Sequence, residues 1–146
     1  MADDTLLNKA STIERCVARI REEYDKDPAT FANDFTRQDA AVLNVLRACE
    51  TCIDIGQILV QRHRLGLPQS SRDVFRLLGK AGFIPPDLAS ALQRMVGFRN
   101  IAVHDYAAVE IPILVQVIEK HLDEFLSFGQ IALQQGDNPH TSDLED

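Results

Sequence analysis

Apolar side chains return every three or four residues along almost the whole chain. That spacing gathers one face of an α-helix into a buried stripe. From Thr5 to about Asp25 the stripe is Ala10, Ile13, Val17, Ile20 and Tyr24. Asp27-Pro28 ends it, because a residue that precedes proline is driven out of helical geometry. Asn33 or Asp34 can cap the next helix, which runs to roughly His63. Its apolar face reads Val42, Val45, Leu46, Cys49, Cys52, Ile53, Gly56 and Leu59.

Leu65-Gly66-Leu67-Pro68 is a break. Ser70, with Asp73 three residues on, resembles a capping box in which Asp replaces the usual Glu or Gln. It opens a short helix through Leu78 that Gly79 and Gly82 close. Pro85-Pro86 and Asp87 start the next helix in the favoured way, with Leu88, Leu92, Met95 and Val96 as its core stripe, reaching at least Arg99. A final helix is expected from near Glu110-Ile111-Pro112 to about Leu133, through Leu114, Val117, Ile118, Leu122, Phe125 and Phe128. No segment alternates at period two over strand length. The pattern predicts an all-α, single-domain helical bundle of three long helices, one medium and one short, over residues 1–133. Residues 134–146 are polar, acidic and interrupted by Gly136 and Pro139, so a disordered tail is expected there.

A chain of 146 residues buries enough surface to fold without disulfides or metal. No apolar run approaches the ~20 residues that span a bilayer. The N-terminus is acidic and lacks the apolar segment of a secretory signal, so a cytoplasmic address and no membrane partner are expected. Three cysteines, an odd number, suit a reducing compartment. Cys49 and Cys52 form a C-x-x-C, but it lies within a helical pattern and has no companions to complete a zinc site. They read as packed thiols, and no metal or cofactor is expected.

The net charge of −7 is unevenly spread. Residues 62–106 carry seven basic side chains (Arg62, Arg64, Arg72, Arg76, Lys80, Arg94 and Arg99) against Asp73, Asp87 and Asp105, whereas both flanks are acidic. A local basic field in an acidic protein suits an anionic substrate that should not bind everywhere; scattered surface charge is the alternative.

That basic segment ends in Arg99-Asn100-Ile101-Ala102-Val103-His104-Asp105-Tyr106. An arginine clamps a phosphate through parallel charge-assisted hydrogen bonds, and a histidine moves protons near neutral pH. Phosphodiester cleavage needs both. On one continuous helix, however, Arg99 and His104 diverge by roughly 140°. Either the helix ends near Val103 and His104 swings back, or the two meet across a subunit interface. Cleavage through a 2′-hydroxyl needs one group to take a proton and another to give one, and a two-fold dimer supplies two histidines. The residues alone also allow a dipole-complementing arginine and a packing histidine.

Arg-Asn-x-x-x-His-x-Tyr resembles the signature of the HEPN superfamily, and its form with Tyr two residues after His resembles the HepT toxins of toxin–antitoxin systems. Leu46-Arg47-Ala48-Cys49-Glu50 with Cys52-Ile53-Asp54-Ile55, then Gly66-Leu67-Pro68, then Ser71 to Leu78, then Arg94 to Asn100 follow the same pattern. The likeness covers about residues 8–133. It implies a homodimeric, metal-independent endoribonuclease that leaves a 2′,3′-cyclic phosphate and a 5′-hydroxyl. Arg99 would bind the scissile phosphate and His104 would act as general acid or base. Asn100 would orient one of them or hydrogen-bond the phosphate, and Asp105 would raise the pKa of His104 if their side chains meet. The implied partner is an MntA-like nucleotidyltransferase antitoxin, which adds AMP to Tyr106 and so blocks the cleft to RNA. A non-catalytic HEPN module that docks a nucleotidyltransferase is the alternative. Arg47, Glu50 and Asp54 share one stripe of the second helix, either as a solvated face or as a wall of the cleft in which Glu50 or Asp54 orients Arg99. His63, His121 and His140 read as surface or packing residues.

Overall fold

In a computed structural model that describes residues 4–136, the chain forms six α-helices and no strand among the described residues: α1 (Asp4–Asp25), α2 (Phe35–Arg62), α3 (Ser71–Lys80), α4 (Pro86–His104), α5 (Ile111–Lys120) and α6 (Leu122–Gly136). Single 3₁₀ turns at Phe31–Asn33 and Tyr106–Ala108 precede α2 and α5. The all-α bundle is the class the periodicity predicts. Residues 137–146, with most of the expected acidic tail and His140, lie outside the described part; 134–136 belong to α6.

Local chemistry sets the helix ends. Of the two candidate caps for α2, Asp34 serves, its carboxylate accepting from the Arg37 amide at 3.1 Å. Ser70 Oγ accepts from the Asp73 amide at 3.2 Å, and Asp73 returns a bond to the amide of Gln69 at 3.0 Å rather than to that of Ser70. The capping box is thus displaced outward by one residue. Pro86 opens α4 at its first turn.

The C-terminus of α1 is closed by a side chain from the next helix. Pro28 has no N–H to offer the carbonyl of Tyr24. Arg37 supplies the missing donors: Nε to the Glu23 carbonyl at 2.8 Å, and Nη2 to the carbonyls of Tyr24 at 3.1 Å and Asp27 at 2.8 Å. The guanidinium is buried and also lies over the Phe31 ring. It therefore fixes the corner at which α1 turns into α2.

α2 is the central helix, packed by α1, α3, α4 and α6. Its predicted apolar positions are buried, except for half-buried Leu46. Phe75 of α3 meets Phe128 of α6 edge to face at 5.5 Å, with Phe31 and Phe125 also fully enclosed. All three cysteines are free and buried, and burial pushes the Cys49 thiol up to about 12, as packed thiols should be.

The single final helix expected from 110 to 133 is instead two. His121 leaves helical geometry (φ −124°, ψ −2°), and its ring pairs with Glu124 at 2.8 Å. The apolar stripe runs through the break without interruption, because both halves bury the same face. Periodicity alone therefore could not reveal it.

Glycines at two helix contacts give opposite expectations. A Cβ on Gly56 would stand 2.4 Å from Val74 Cγ1 of α3, whereas one on Gly129 would meet Ile13 and Ala10 no closer than 3.7 Å. Gly56→Ala should therefore lose stability, by about 1–2 kcal/mol net of the better helix former. Gly129→Ala should gain about 0.5–1 kcal/mol. Urea unfolding of the two variants checks the difference in sign; two shifts in the same direction would contradict the packing described.

Candidate functional site

α4 carries the motif antiparallel to α2. Its last turns hold Arg99, Asn100 and His104, and the 3₁₀ turn begins at Tyr106. His104 is the last residue of α4. The helix thus ends one residue past Val103, near where it was expected to end, and His104 is still within it. Arg99 and His104 leave the helix roughly 140° apart, separated by about 7.5 Å along its axis.

Arg99 is held on two sides. Its Nε donates to Glu50 Oε1 of α2, and its Nη1 donates to Asn100 Oδ1 at 2.7 Å. The Glu50 carboxylate raises the pKa of the guanidinium, keeping it charged. Glu50 is thus the member of the α2 stripe that meets Arg99. Asp54 turns instead to Lys9 of α1 at 3.4 Å. Asn100 accepts from the guanidinium through Oδ1, so its amide N–H groups are not spent on that contact.

His104 is exposed at the C-terminus of α4. Its side chain makes no hydrogen bond or ion pair among the described residues, so the contact with Asp105 on which that residue's effect was conditional is not made there. Asp105 instead ends α4, its amide bonded to the Ile101 carbonyl at 2.8 Å, while its own carbonyl accepts from Ala108 at 2.9 Å. Its role is to turn the chain toward Tyr106.

The Tyr106 hydroxyl donates to Asp39 Oδ1 of α2. Burial and that carboxylate together push the phenol up to about 12. The ring nevertheless remains 48% exposed. Sequence reasoning did not single out Asp39. It stands 67 residues from Tyr106, and no local pattern marks it. Glu50 was one of two candidates that the α2 stripe offered.

Of the basic residues around the motif, Arg72 reaches α4 at Gly97. Its Nη2 sits 2.6 Å from where a Cβ on Gly97 would be. Gly97 and His104 are seven residues apart and so within about 20° on one face of α4. Arg76 is occupied by Asp73. The predicted basic field is therefore only partly gathered at the motif.

Apolar residues beside these groups are left without cover: Leu43 on the α2 stripe between Asp39 and Glu50, and Ile101 and Val103 in the last turns of α4. No helix among the described residues is long and apolar enough to cross a membrane.

Comparison with known proteins supplies independent findings. A model of the family described as Ribonuclease HepT-like matches residues 13–130. The mRNA nuclease HepT of Shewanella oneidensis strain MR-1 is 46% identical over 126 residues, which cover 86% of this chain and 94% of that protein. A solved structure of a tri-AMPylated Shewanella oneidensis HEPN toxin in complex with MNT antitoxin aligns with a TM-score of 0.84 at 45% identity, over 88% of this chain and 96% of that one. A crystal structure of a toxin–antitoxin with AMP-PNP also aligns at 0.84, with 44% identity over 88% and 97% of the two chains.

The phenol offers a direct check of this geometry. A phenol whose pKa is raised on folding adds stability below its unfolded value of about 10. That increment is lost as pH rises through the folded value of about 12. In a Tyr24→Phe background Tyr106 is the sole tyrosine. Its phenolate absorbance should then titrate near 12. Adding Asp39→Asn should lower the midpoint yet leave it above about 10, because burial, the larger cause, persists. An unmoved midpoint would deny the contact.

Proposed function

The chain belongs to the Ribonuclease HepT-like family, and on that premise we propose that it is the toxin of a toxin–antitoxin pair, an endoribonuclease that works as a homodimer and is silenced by AMP on Tyr106. The divergence of Arg99 and His104 on α4 carries the composite site. One protomer presents the phosphate clamp and the proton-transfer group on different faces. A two-fold partner brings a second copy of each into one cleft. Uncovered Leu43, Ile101 and Val103 beside the motif suit burial by that second copy.

The chemistry follows from the groups. The 2′-hydroxyl of RNA attacks the adjacent phosphorus and the 5′-oxygen leaves, giving a 2′,3′-cyclic phosphate and a 5′-hydroxyl. Arg99, oriented by Glu50 and Asn100, binds the phosphate and stabilises the charge gathering on its oxygens. The imidazole of one His104 accepts the proton of the attacking hydroxyl, and that of the other protonates the leaving oxygen. No metal is required for any step.

AMP on Tyr106 would add bulk and negative charge at the cleft. Asp39 and Glu50 lie eleven residues apart on α2, about 16 Å along its axis. A nucleotide on Tyr106 must therefore extend along α2 to reach Arg99 of its own protomer, or meet the arginine of the second copy. Either placement would cover the phosphate site, an off-switch by the same logic as phosphorylation.

Purified chain incubated with RNA in EDTA should still cleave, with cyclic phosphate at the new 3′ ends. His104→Ala should lower the rate by about 10²–10⁴-fold and leave the dimer intact by light scattering. Arg99→Lys, which keeps charge but loses the fork, should cost about 10²-fold. A folded His104→Ala dimer that cleaves like wild type would refute the catalytic assignment. Absence of cleavage by any form, with nucleotidyltransferase binding retained, would identify a docking module instead.

A further inference from the structure

RNA cleavage as described gives Asp39 no task, yet it accepts the one hydrogen bond made by the Tyr106 hydroxyl among the described residues. Asp39 is solvent-exposed in the second turn of α2. Tyr106 as a residue is itself about half exposed, so both partners of the contact lie at the surface, where a reagent from solution meets them. With the phenol pushed up to about 12, the acceptor is neutral at physiological pH. Attack on phosphorus by a neutral phenol makes its O–H strongly acidic as the new bond forms, and that proton needs a base already in place.

We propose that Asp39 is the base for the first transfer of AMP to Tyr106. The inference rests on the reading that Tyr106 is the acceptor. As Tyr106 Oη bonds to the α-phosphorus of ATP, the bond from that phosphorus to the oxygen bridging to the β-phosphate breaks. Pyrophosphate leaves, and the phenolic proton passes to Asp39 Oδ1 and then to water. The re-ionised carboxylate now faces a phosphodiester anion with no proton between them. Like charges at that distance repel, so the modified side chain turns out of the Asp39 contact and into the cleft that AMP blocks. One carboxylate thus promotes the transfer and then expels its product from the place where it formed.

The competing role for Asp39 is purely structural: it would hold the ring and nothing more. Three variants separate the two roles. Asp39→Asn retains a hydrogen-bond acceptor of the same shape but cannot take up the proton. Asp39→Ala opens a space that formate can enter. Tyr106→Phe removes the acceptor oxygen. Each full-length protein is mixed with the MNT antitoxin of the Shewanella oneidensis pair, magnesium and ATP, and AMP addition is followed by intact mass.

Asp39→Asn should slow the first addition by about 10²-fold, with the half-saturating ATP concentration changed less than about twofold. Asp39→Ala should be equally slow, and formate should restore at least a tenth of the wild-type rate. Wild-type rates in Asp39→Asn, or no response of Asp39→Ala to formate, would overturn the role of Asp39 while Tyr106 stays the acceptor. No AMP on the wild type, or undiminished AMP on Tyr106→Phe, would overturn the acceptor reading and this inference with it.

Discussion

Two carboxylates on one helix grip the two ends of the Arg99–Tyr106 motif. Asp39 and Glu50 project from the same side of α2, and they hold Tyr106 and Arg99 respectively. Because α2 is packed by four other helices, it acts as a rigid ruler about 16 Å long between the two contacts. The distance between the tyrosine and the arginine is therefore set by α2, not by the loop that joins them in sequence. It sets Tyr106 and Arg99 at separate stations of one protomer, the spacing on which the proposed composite cleft is built.

The contacts that hold the motif contribute more to orientation than to stability. The Arg99–Glu50 pair is only partly buried, and ion pairs of that exposure stabilise a fold little. What it provides is a guanidinium with a defined direction, charged and flanked by the Asn100 amide. Stability lies elsewhere, in the Phe75–Phe128 contact, in the close approach of α2 and α3 at Gly56, and in the corner where Arg37 replaces the donor that Pro28 lacks. That corner aligns α1 on α2, and α1 also carries the lysine that draws Asp54 away from the site. Scaffold and site are thus joined through α2 on both of its faces.

Exposure at the motif is of the same kind. A monomer that leaves Leu43, Ile101 and Val103 uncovered beside its polar groups keeps apolar area in water at a cost of roughly 25 cal/mol per Å². In the proposed dimer a second copy over that face would remove the cost and complete the set of proton-transfer groups at once, so the apolar and the proposed catalytic requirements fall on the same surface.

Much of this was legible in the residues. The three-and-four spacing is a property of each helix by itself, so it marks a buried face without knowledge of the partner. Asp34 and Ser70 accept from amides three residues on, and Pro86 suits the first turn by its own fixed backbone, so helix starts could be read locally. The motif's chemical types were evident for the same reason. The break at His121 was hidden because both halves bury one continuous stripe. The choice of Glu50 over Asp54, the recruitment of Asp39, and the failure of Asp105 to meet His104 depend on how α4 slides and rotates against α2. Periodicity determines which face of a helix is inward, but not the register at which that face meets another. Only the packed tertiary structure decided which carboxylate met which motif residue.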